Sequence, residues 1–153
     1  MSQKEWGNIT WFLFHTLAEK VHPERFNEIK PTIILFIQET CRNLPCPICS
    51  NHAQKNLRTA RIDLIHTKAD LIEFLRQFHN LVNIHTGKET VSKEFVITKY
   101  KTANTAAMIN RFLQVFSHKY GNFEINSFLR ANERHRFVKQ ATGQLKLIAQ
   151  YCY

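Results

Sequence analysis

Apolar residues recur along most of this chain at the spacing of an α-helix. In the segment 68–85, Leu71, Leu75, Phe78 and Val82 follow one another at intervals of three or four residues, which places them on one stripe. The sequence has four Gly and four Pro, too few for a loop-rich or all-β protein. We therefore expect an all-α protein, with further helices at 8–20, 31–42, 103–116 and 126–151, the last interrupted near 131–133 and at Gly143.

Prolines and a glycine mark where several of these helices end. The first helix ends before Pro23, because proline disfavours helix in the preceding residues. Residues 43–47 break the second helix, since both prolines there lack an amide hydrogen, whereas Pro47 suits the first turn of a new helix that runs to about residue 61. Gly87 is a candidate left-handed cap for the most amphipathic helix.

The composition suits one soluble domain. With 153 residues, 44% hydrophobic content and 12 Phe, the chain can bury a core around a ligand-sized cavity. No apolar run reaches the ~18 residues of a membrane helix, and no basic segment followed by an apolar one opens the chain, so we expect neither a membrane span nor a cleaved signal. The tail carries five phenylalanines that we expect in the core or an interface: Phe112, Phe116, Phe123, Phe128 and Phe137.

The chain is strongly basic, with a formal net charge of +9. Such a charge would suit nucleic acid, because Lys and Arg neutralise phosphates. The basic residues are scattered from Lys4 to Lys146, however, without a basic block or a recognition-helix, finger or RNA-binding motif. Nucleic-acid binding is therefore not expected.

The pair Cys46 and Cys49 carries the clearest chemical signal. It stands at the predicted start of a helix, where unpaired backbone amides and the helix dipole lower the pKa of a thiol. Two intervening residues allow a small, reducible disulfide ring. The pair can therefore cycle between dithiol and disulfide.

Three other chemistries use cysteines at this spacing. A zinc site could draw on Cys41, Cys46, Cys49 and His52, but no second ligand pair stands at finger spacing. Covalent haem attachment requires His after the second cysteine, where Ser50 stands, and a thioredoxin-like protein requires strands alternating with helices. Zinc stays as an alternative, and the favoured interpretation is a helical dithiol that needs an electron acceptor.

Two groups of residues indicate a binding site for such an acceptor. Gly7, Trp11 and His15 recur every four residues, so a planar cofactor could lie against one helix face. The second group consists of polar side chains on an otherwise apolar helix and a following lysine: His79, Asn80, Asn83 and Lys88. Polar groups cost free energy when they are buried unpaired, so these should meet something polar. Taken singly, Trp11 could be core, His79 could be satisfied by backbone and Lys88 could be solvated.

In these stretches the chain resembles the Erv/ALR family of sulfhydryl oxidases, helical flavoproteins that make disulfides. The resemblance covers about the first 100 residues. It departs from the family at His85-Thr86, where basic and apolar residues are common, and in lacking a cysteine soon after Lys88 for the family's frequent structural bridge. Four sequence elements carry the resemblance, and they occur in the same order as in the family: Trp6-Gly7 with residues 11–18, residues 45–49 with His52, residues 79–83, and Gly87-Lys88.

The resemblance implies a fold, a cofactor and a reaction. It implies FAD held noncovalently in a four-helix bundle with a short additional helix, residues 1–100 forming the oxidase domain and residues 101–153 a helical extension packed on it or forming an interface. It implies that Cys46 and Cys49 oxidise protein dithiols and that electrons pass through FAD to oxygen, giving hydrogen peroxide. The implied cofactor-binding residues are Gly7, Trp11, His15, His52, His79, Asn80, Asn83 and Lys88, with Cys49 beside them.

The resemblance also carries implications for the oligomeric state and the location of the protein. It implies a homodimer. The compact form is similar to the single-domain versions carried by large DNA viruses, which would place the protein in host cytoplasm or in the virion. The competing hypothesis is a noncatalytic helical adaptor, in which the cysteine pair holds zinc or a structural bridge and the basic surface binds nucleic acid.

Cys152, the penultimate residue, has three candidate roles. It could relay disulfides to Cys46 from a mobile terminus, since chain ends are poorly held unless docked. It could instead bridge to Cys41 or stay a free thiol, and the free thiol is favoured.

Overall fold

The computed structural model describes residues 2–118 and 125–153, and the side chains of 2–118 and 132–153. Within these ranges the chain is all-α, as predicted, and none of the described helices is long and apolar enough to cross a membrane. Short 3-10 turns lie at Pro23–Arg25 and Ile62–Leu64. The α-helices are α1 (Gln3–Lys20), α2 (Phe26–Arg42), α3 (Pro47–Thr59), α4 (Lys68–His85), α5 (Lys93–Lys101), α6 (Thr105–Phe116) and α7 (Ile125–Ala149).

Helix α4 has the predicted bounds because both of its ends carry capping residues. At the N-terminus, the Thr67 hydroxyl accepts from the Asp70 amide while the Asp70 carboxylate accepts from the Thr67 amide, a capping box. At the other end Gly87 adopts φ +72°, which confirms the left-handed cap. The Lys88 amide then donates to the Asn83 carbonyl at 2.7 Å, as in a Schellman motif.

Three other helices differ from the prediction. Helix α1 begins at Gln3, not residue 8, because Ser2 caps it and Trp6 is buried in its second turn. Helix α2 begins at Phe26 and contains Pro31, because the buried side chains of its first turns outweigh one lost hydrogen bond. Helix α5 was not predicted at all.

Helix α7 has no interruption within its described backbone, so the predicted breaks near 131–133 and at Gly143 are wrong. A glycine inside a helix costs about 1 kcal/mol relative to alanine. The neighbouring Ala141, Leu145 and Ile148 are fully buried, and their burial offsets that cost.

The core lies around α1, which packs against α4, α5 and α6, and around α2, which packs against α3 and α7. A chain of aromatic rings joins α2, α6 and α7: Phe36 lies 5.5 Å from Phe112, Phe112 lies 4.3 Å from Phe116, and Phe116 lies 5.8 Å from Phe137. The prediction that Phe112, Phe116 and Phe137 are core is confirmed. Phe123 and the Phe128 side chain lie outside the described residues.

The C-terminus is docked against the end of α1. Val21 and Cys152 form an isolated antiparallel bridge. On either side of it the His22 amide donates to the Tyr151 carbonyl at 2.7 Å, and the Tyr153 amide donates to the Lys20 carbonyl at 2.9 Å. The mobile terminus that a Cys152 relay requires is thus not observed, and Cys41 and Cys152 are both free thiols.

Candidate active site

The two cysteines of the predicted redox pair form a disulfide at the start of α3. Cys46 is the N-cap residue and Pro47 is the first helical residue, the position in which a missing amide hydrogen costs nothing. Cys46 and Cys49 are bonded to each other, with their Cα atoms 5.2 Å apart, and the Cys49 amide donates to Cys46 Sγ at 3.2 Å. A thiolate released here meets free helix amides and the positive end of the dipole.

Ser50 fixes this first turn of α3 against the last turn of α2. Its buried hydroxyl lies 2.8 Å from the Cys41 carbonyl and 3.0 Å from the Arg42 carbonyl, and it accepts from the Gln54 amide at 3.1 Å. In the sequence, Ser50 is informative only because its presence after Cys49 excludes covalent haem attachment. Its role in holding the disulfide could not be read from the sequence, because the bonds link residues eight or nine apart across a turn.

A cavity of about 440 Å³ opens beside the disulfide, between α1, α3 and α4. That volume lies in the range of small-molecule and cofactor sites. It is lined by seven of the ten residues predicted for the site: Gly7, Trp11, Cys49, His52, His79, Asn83 and Lys88.

Three of the predicted residues do not line this cavity: Cys46, His15 and Asn80. Cys46 and Cys49 are both half-buried, but only Cys49 lines the cavity, so the two sulfurs have different surroundings. Cys49 has the Gln3 amide at 3.4 Å from its sulfur. Ile48, between the two cysteines, is 72% exposed.

Asn80 makes backbone hydrogen bonds instead of facing the cavity. Its side-chain nitrogen donates to the Val91 carbonyl at 3.0 Å, and its side-chain oxygen accepts from the Val91 amide at 2.8 Å. These two bonds hold the segment before α5 against α4.

Stacked rings form the wall near Trp11. The Trp11 and His79 rings stack at 4.1 Å with 5° between their planes. Behind them, His15 Nε2 lies 3.0 Å from His79 Nδ1, and the Tyr100 ring stacks on His15 at 4.8 Å. Tyr100 comes from the unpredicted helix α5, so this part of the site could not be found from the sequence.

Burial keeps the two stacked histidines neutral. It lowers the pKa of His15 to about 3, with smaller contributions from His79 and Lys99. It lowers the pKa of His79 to about 4, and the positive charges of Lys99 and Lys88 act in the same direction. Both rings are therefore uncharged near neutral pH.

Several cavity-lining residues were not predicted. His85 packs on His52 with 4.3 Å between ring centroids, although in the sequence it is recognisable only as a departure from the family pattern. The early residues were missed because helix α1 was expected to begin at residue 8. The unpredicted polar members of the wall are Gln3, Lys4, Asn8, Thr10, Asn56, His85 and Thr86.

The zinc alternative finds no support in the part of the chain that the structure describes. No group of three His, Cys, Asp or Glu side chains there could hold a metal ion. The sulfurs of Cys46 and Cys49 are bonded to each other, and burial raises the pKa of the Cys41 thiol to about 12. A zinc thiolate site needs deprotonated cysteines.

Known proteins are similar to the part of the chain that contains this site. The Erv1 / Alr family profile matches residues 8–103. A protein of Invertebrate iridescent virus 3, named as an FAD-linked sulfhydryl oxidase, is 28% identical over 99 residues, which cover 64% of this chain and 67% of that protein. A second protein with that description, from Invertebrate iridescent virus 6, is 29% identical over 104 residues, covering 63% of this chain and 92% of its own length. No solved structure matches the chain.

Proposed function

The chain belongs to the Erv1/Alr family, and from that premise we propose that it is an FAD-linked thiol oxidase acting through Cys46 and Cys49. Both viral relatives carry the name of such an enzyme, which agrees with the resemblance to large-DNA-virus members. One observation carries the proposal. The Cys46–Cys49 disulfide stands at a cofactor-sized cavity that Cys49 itself lines.

The residues of the cavity suit FAD. Trp11 and His79 offer flat aromatic surface, and Lys4 and Lys88 offer positive charge to a pyrophosphate. Gly7 leaves bare backbone on the wall, since a Cβ added there would meet no atom within 4 Å and would extend into open space. These residues, together with His52 and Asn83, are proposed to hold the cofactor.

The proposed reaction begins at Cys46. A substrate thiolate attacks Cys46 Sγ, a substrate–Cys46 disulfide forms, and the bond to Cys49 breaks, leaving Cys49 as a thiolate. The Gln3 side-chain amide, 3.4 Å from Cys49 Sγ, and the positive end of the α3 dipole stabilise that charge. The second substrate thiol then attacks the substrate sulfur and releases Cys46, so that two electrons have reached the cysteine pair.

Cys49 is the member placed to pass these electrons on, because it lines the cavity and Cys46 does not. FAD, when bound, supplies the two-electron acceptor that restores the disulfide and delivers the electrons to oxygen as hydrogen peroxide. Residues of the wall orient the cofactor beside Cys49.

We also propose the domain division and assembly that the resemblance implies. Residues 1–100 would form the oxidase domain, since every residue of the cavity wall lies between Gln3 and Lys88 and Tyr100 of α5 stacks on His15 behind that wall. Residues 101–153 would form an extension that packs on α1 and α2. A homodimer is the proposed assembly, and light scattering of the purified protein tests it.

Substituting each active cysteine tests the reaction. Cys46→Ala and Cys49→Ala should each abolish dithiothreitol-dependent oxygen consumption while circular dichroism shows an intact fold, because the exchange ring needs both sulfurs. Cys152→Ala is the control and should keep the parent rate. Turnover retained by either active-site variant would refute the mechanism.

A further inference from the structure

Two histidines are hydrogen-bonded to each other beside the cavity, and one of them lines its wall. His15 Nε2 lies 3.0 Å from His79 Nδ1. His15 is 1% exposed and does not line the cavity, whereas His79 does. We propose that His15 is a positioning residue: it fixes the tautomer of His79, so that His79 offers an N–H donor to the molecule bound in the cavity.

Both rings are uncharged near neutral pH. Burial is the main cause of the lowered pKa of each histidine, and Lys99 acts on both. A single proton therefore lies between His15 Nε2 and His79 Nδ1, and one ring donates it to the other.

The unpaired nitrogen of His15 decides which ring donates. Nδ1 of His15 is buried and has no hydrogen-bond partner. If His79 donated, neutral His15 would carry its proton on this nitrogen and bury an unpaired N–H, the rarest kind of unsatisfied group in proteins. If His15 donates, Nδ1 carries no hydrogen and is an unpaired acceptor, a less rare kind of unsatisfied group than an unpaired N–H.

The tautomer of His79 follows. Because its Nδ1 accepts from His15, the neutral ring carries its proton on Nε2. Among the described residues no partner hydrogen-bonds to this nitrogen, and its ring lines the cavity. The pair thus presents one fixed N–H donor to a ligand.

Stacking on both sides holds the pair in this arrangement. Trp11 covers the His79 ring with 5° between planes, and Tyr100 covers the His15 ring with 18° between planes. A ligand acceptor such as a carbonyl or phosphate oxygen would meet a donor whose orientation is already set, which reduces the cost of ordering on binding. That the ligand is FAD rests on the proposed function, whereas the tautomer does not.

Nitrogen NMR of the purified holoprotein, labelled with ¹⁵N at histidine, reads the tautomers directly. Long-range ¹H–¹⁵N correlations near neutral pH should show Nε2 protonated and Nδ1 bare in both rings, the His15→Phe variant identifying the His15 signals. A proton on Nδ1 of His79 would overturn the proposal. If the protein proves to lack flavin, its absorbance shows that failure separately, and the tautomers can still be read.

Variants at residue 15 test the positioning role. In His15→Phe, the His79 signals should become a tautomer mixture and the FAD dissociation constant should rise about tenfold, the scale of one hydrogen bond. His15→Gln restores an N–H donor and should recover the His79 tautomer and most of the affinity. Unchanged tautomer and affinity in His15→Phe, or equal behaviour of the two variants, would contradict the proposal.

The matched control is Thr16→Val. Thr16 is the buried neighbour on α1, and its hydroxyl bonds to the Phe12 carbonyl at 2.6 Å. This change should alter stability without altering the His79 tautomer or the FAD affinity. Should His15→Phe fail to fold, the spectrum of the unmodified protein and the His15→Gln variant still decide the question.

Discussion

Cys41 and Cys49 both line the cavity, yet their surroundings give them opposite chemistry. Cys49 lies in the first turn of α3, where the positive end of the helix dipole stabilises a thiolate. Cys41 lies in the last turn of α2, near the negative end of that helix dipole, and burial raises the pKa of its thiol to about 12. We infer that thiol exchange is confined to the Cys46–Cys49 pair.

The two neutral histidines predict how stability depends on pH. Their folded pKa values, about 3 for His15 and about 4 for His79, lie below the ordinary value of 6.5, so below that pH the unfolded chain binds protons that the folded chain does not. Stability should be full above about pH 6.5 and should fall towards pH 4, by up to about 1.4 kcal/mol per pH unit from each ring.

Urea unfolding at several pH values between about 7 and 5 measures this slope. His15→Phe should make the slope shallower than that of the parent protein, because one of the two neutral histidines is removed. This pH range is separate from the one in which Glu73 affects stability. The pKa of Glu73 is lowered to about 2, so its contribution to stability is lost only as the pH falls below its ordinary value of 4.5. A slope unaffected by His15→Phe would mean that His15 is not held neutral.

At the level of elements, the connection from α4 to α5 depends on Asn80. Its paired bonds to Val91 hold the segment that leads to α5, and α5 in turn brings Tyr100 onto His15. The resemblance implied a cofactor-binding role for Asn80. The geometry instead gives its side chain two backbone partners outside the cavity wall.

Asn80→Ala should therefore lower the free energy of unfolding by about 1–3 kcal/mol, because the Val91 amide loses its partner and the Val91 carbonyl keeps only the Arg76 guanidinium, at 3.2 Å. Hydrogen exchange at the Val91 amide should become faster. Gln77→Ala, which removes an exposed bond to Glu73 on the same helix, is the matched control and should change little. Loss of flavin without loss of stability would instead place Asn80 at the cofactor.

The helices also differ in how well the sequence predicts their bounds. The stripe and caps of α4 are local, so its bounds could be read from the sequence. Helix α5 buries only Val96 and Tyr100, too few apolar positions to show a helical period, and its place is set by contacts with α1 and α4. Wall residues on α1, α3 and α4 were therefore predicted in part, whereas Tyr100, which stacks on His15 behind the wall, was missed together with α5.

At the scale of the whole molecule, the docked C-terminus joins the end of the chain to the residues at the end of α1. The bridge between Val21 and Cys152 and the flanking backbone bonds are supported by the Arg25 guanidinium, 3.9 Å from the centre of the Tyr151 ring. Burial also raises the pKa of the Cys152 thiol to about 11. Neither feature suits a relay thiol, whose reactive form is the thiolate.

Cys152→Ser should accordingly oxidise a small dithiol and a folded protein dithiol at the parent rates. Deleting residues 151–153 should lower the unfolding temperature, because the backbone bonds to His22 and Lys20 are lost. Paired rate measurements on the two substrates provide the test. A loss confined to the protein substrate would restore the relay role.

The central claim is that electrons pass from the Cys46–Cys49 pair to a flavin bound in the adjacent cavity. The most direct measurement is the visible absorbance of the purified protein before and after a dithiol is added without oxygen. We predict a flavin band near equal molarity with the protein, bleached by dithiol and restored by air, and a Cys49→Ala variant that keeps the band but does not bleach. A colourless protein, or equal bleaching in Cys49→Ala and the parent, would contradict the claim.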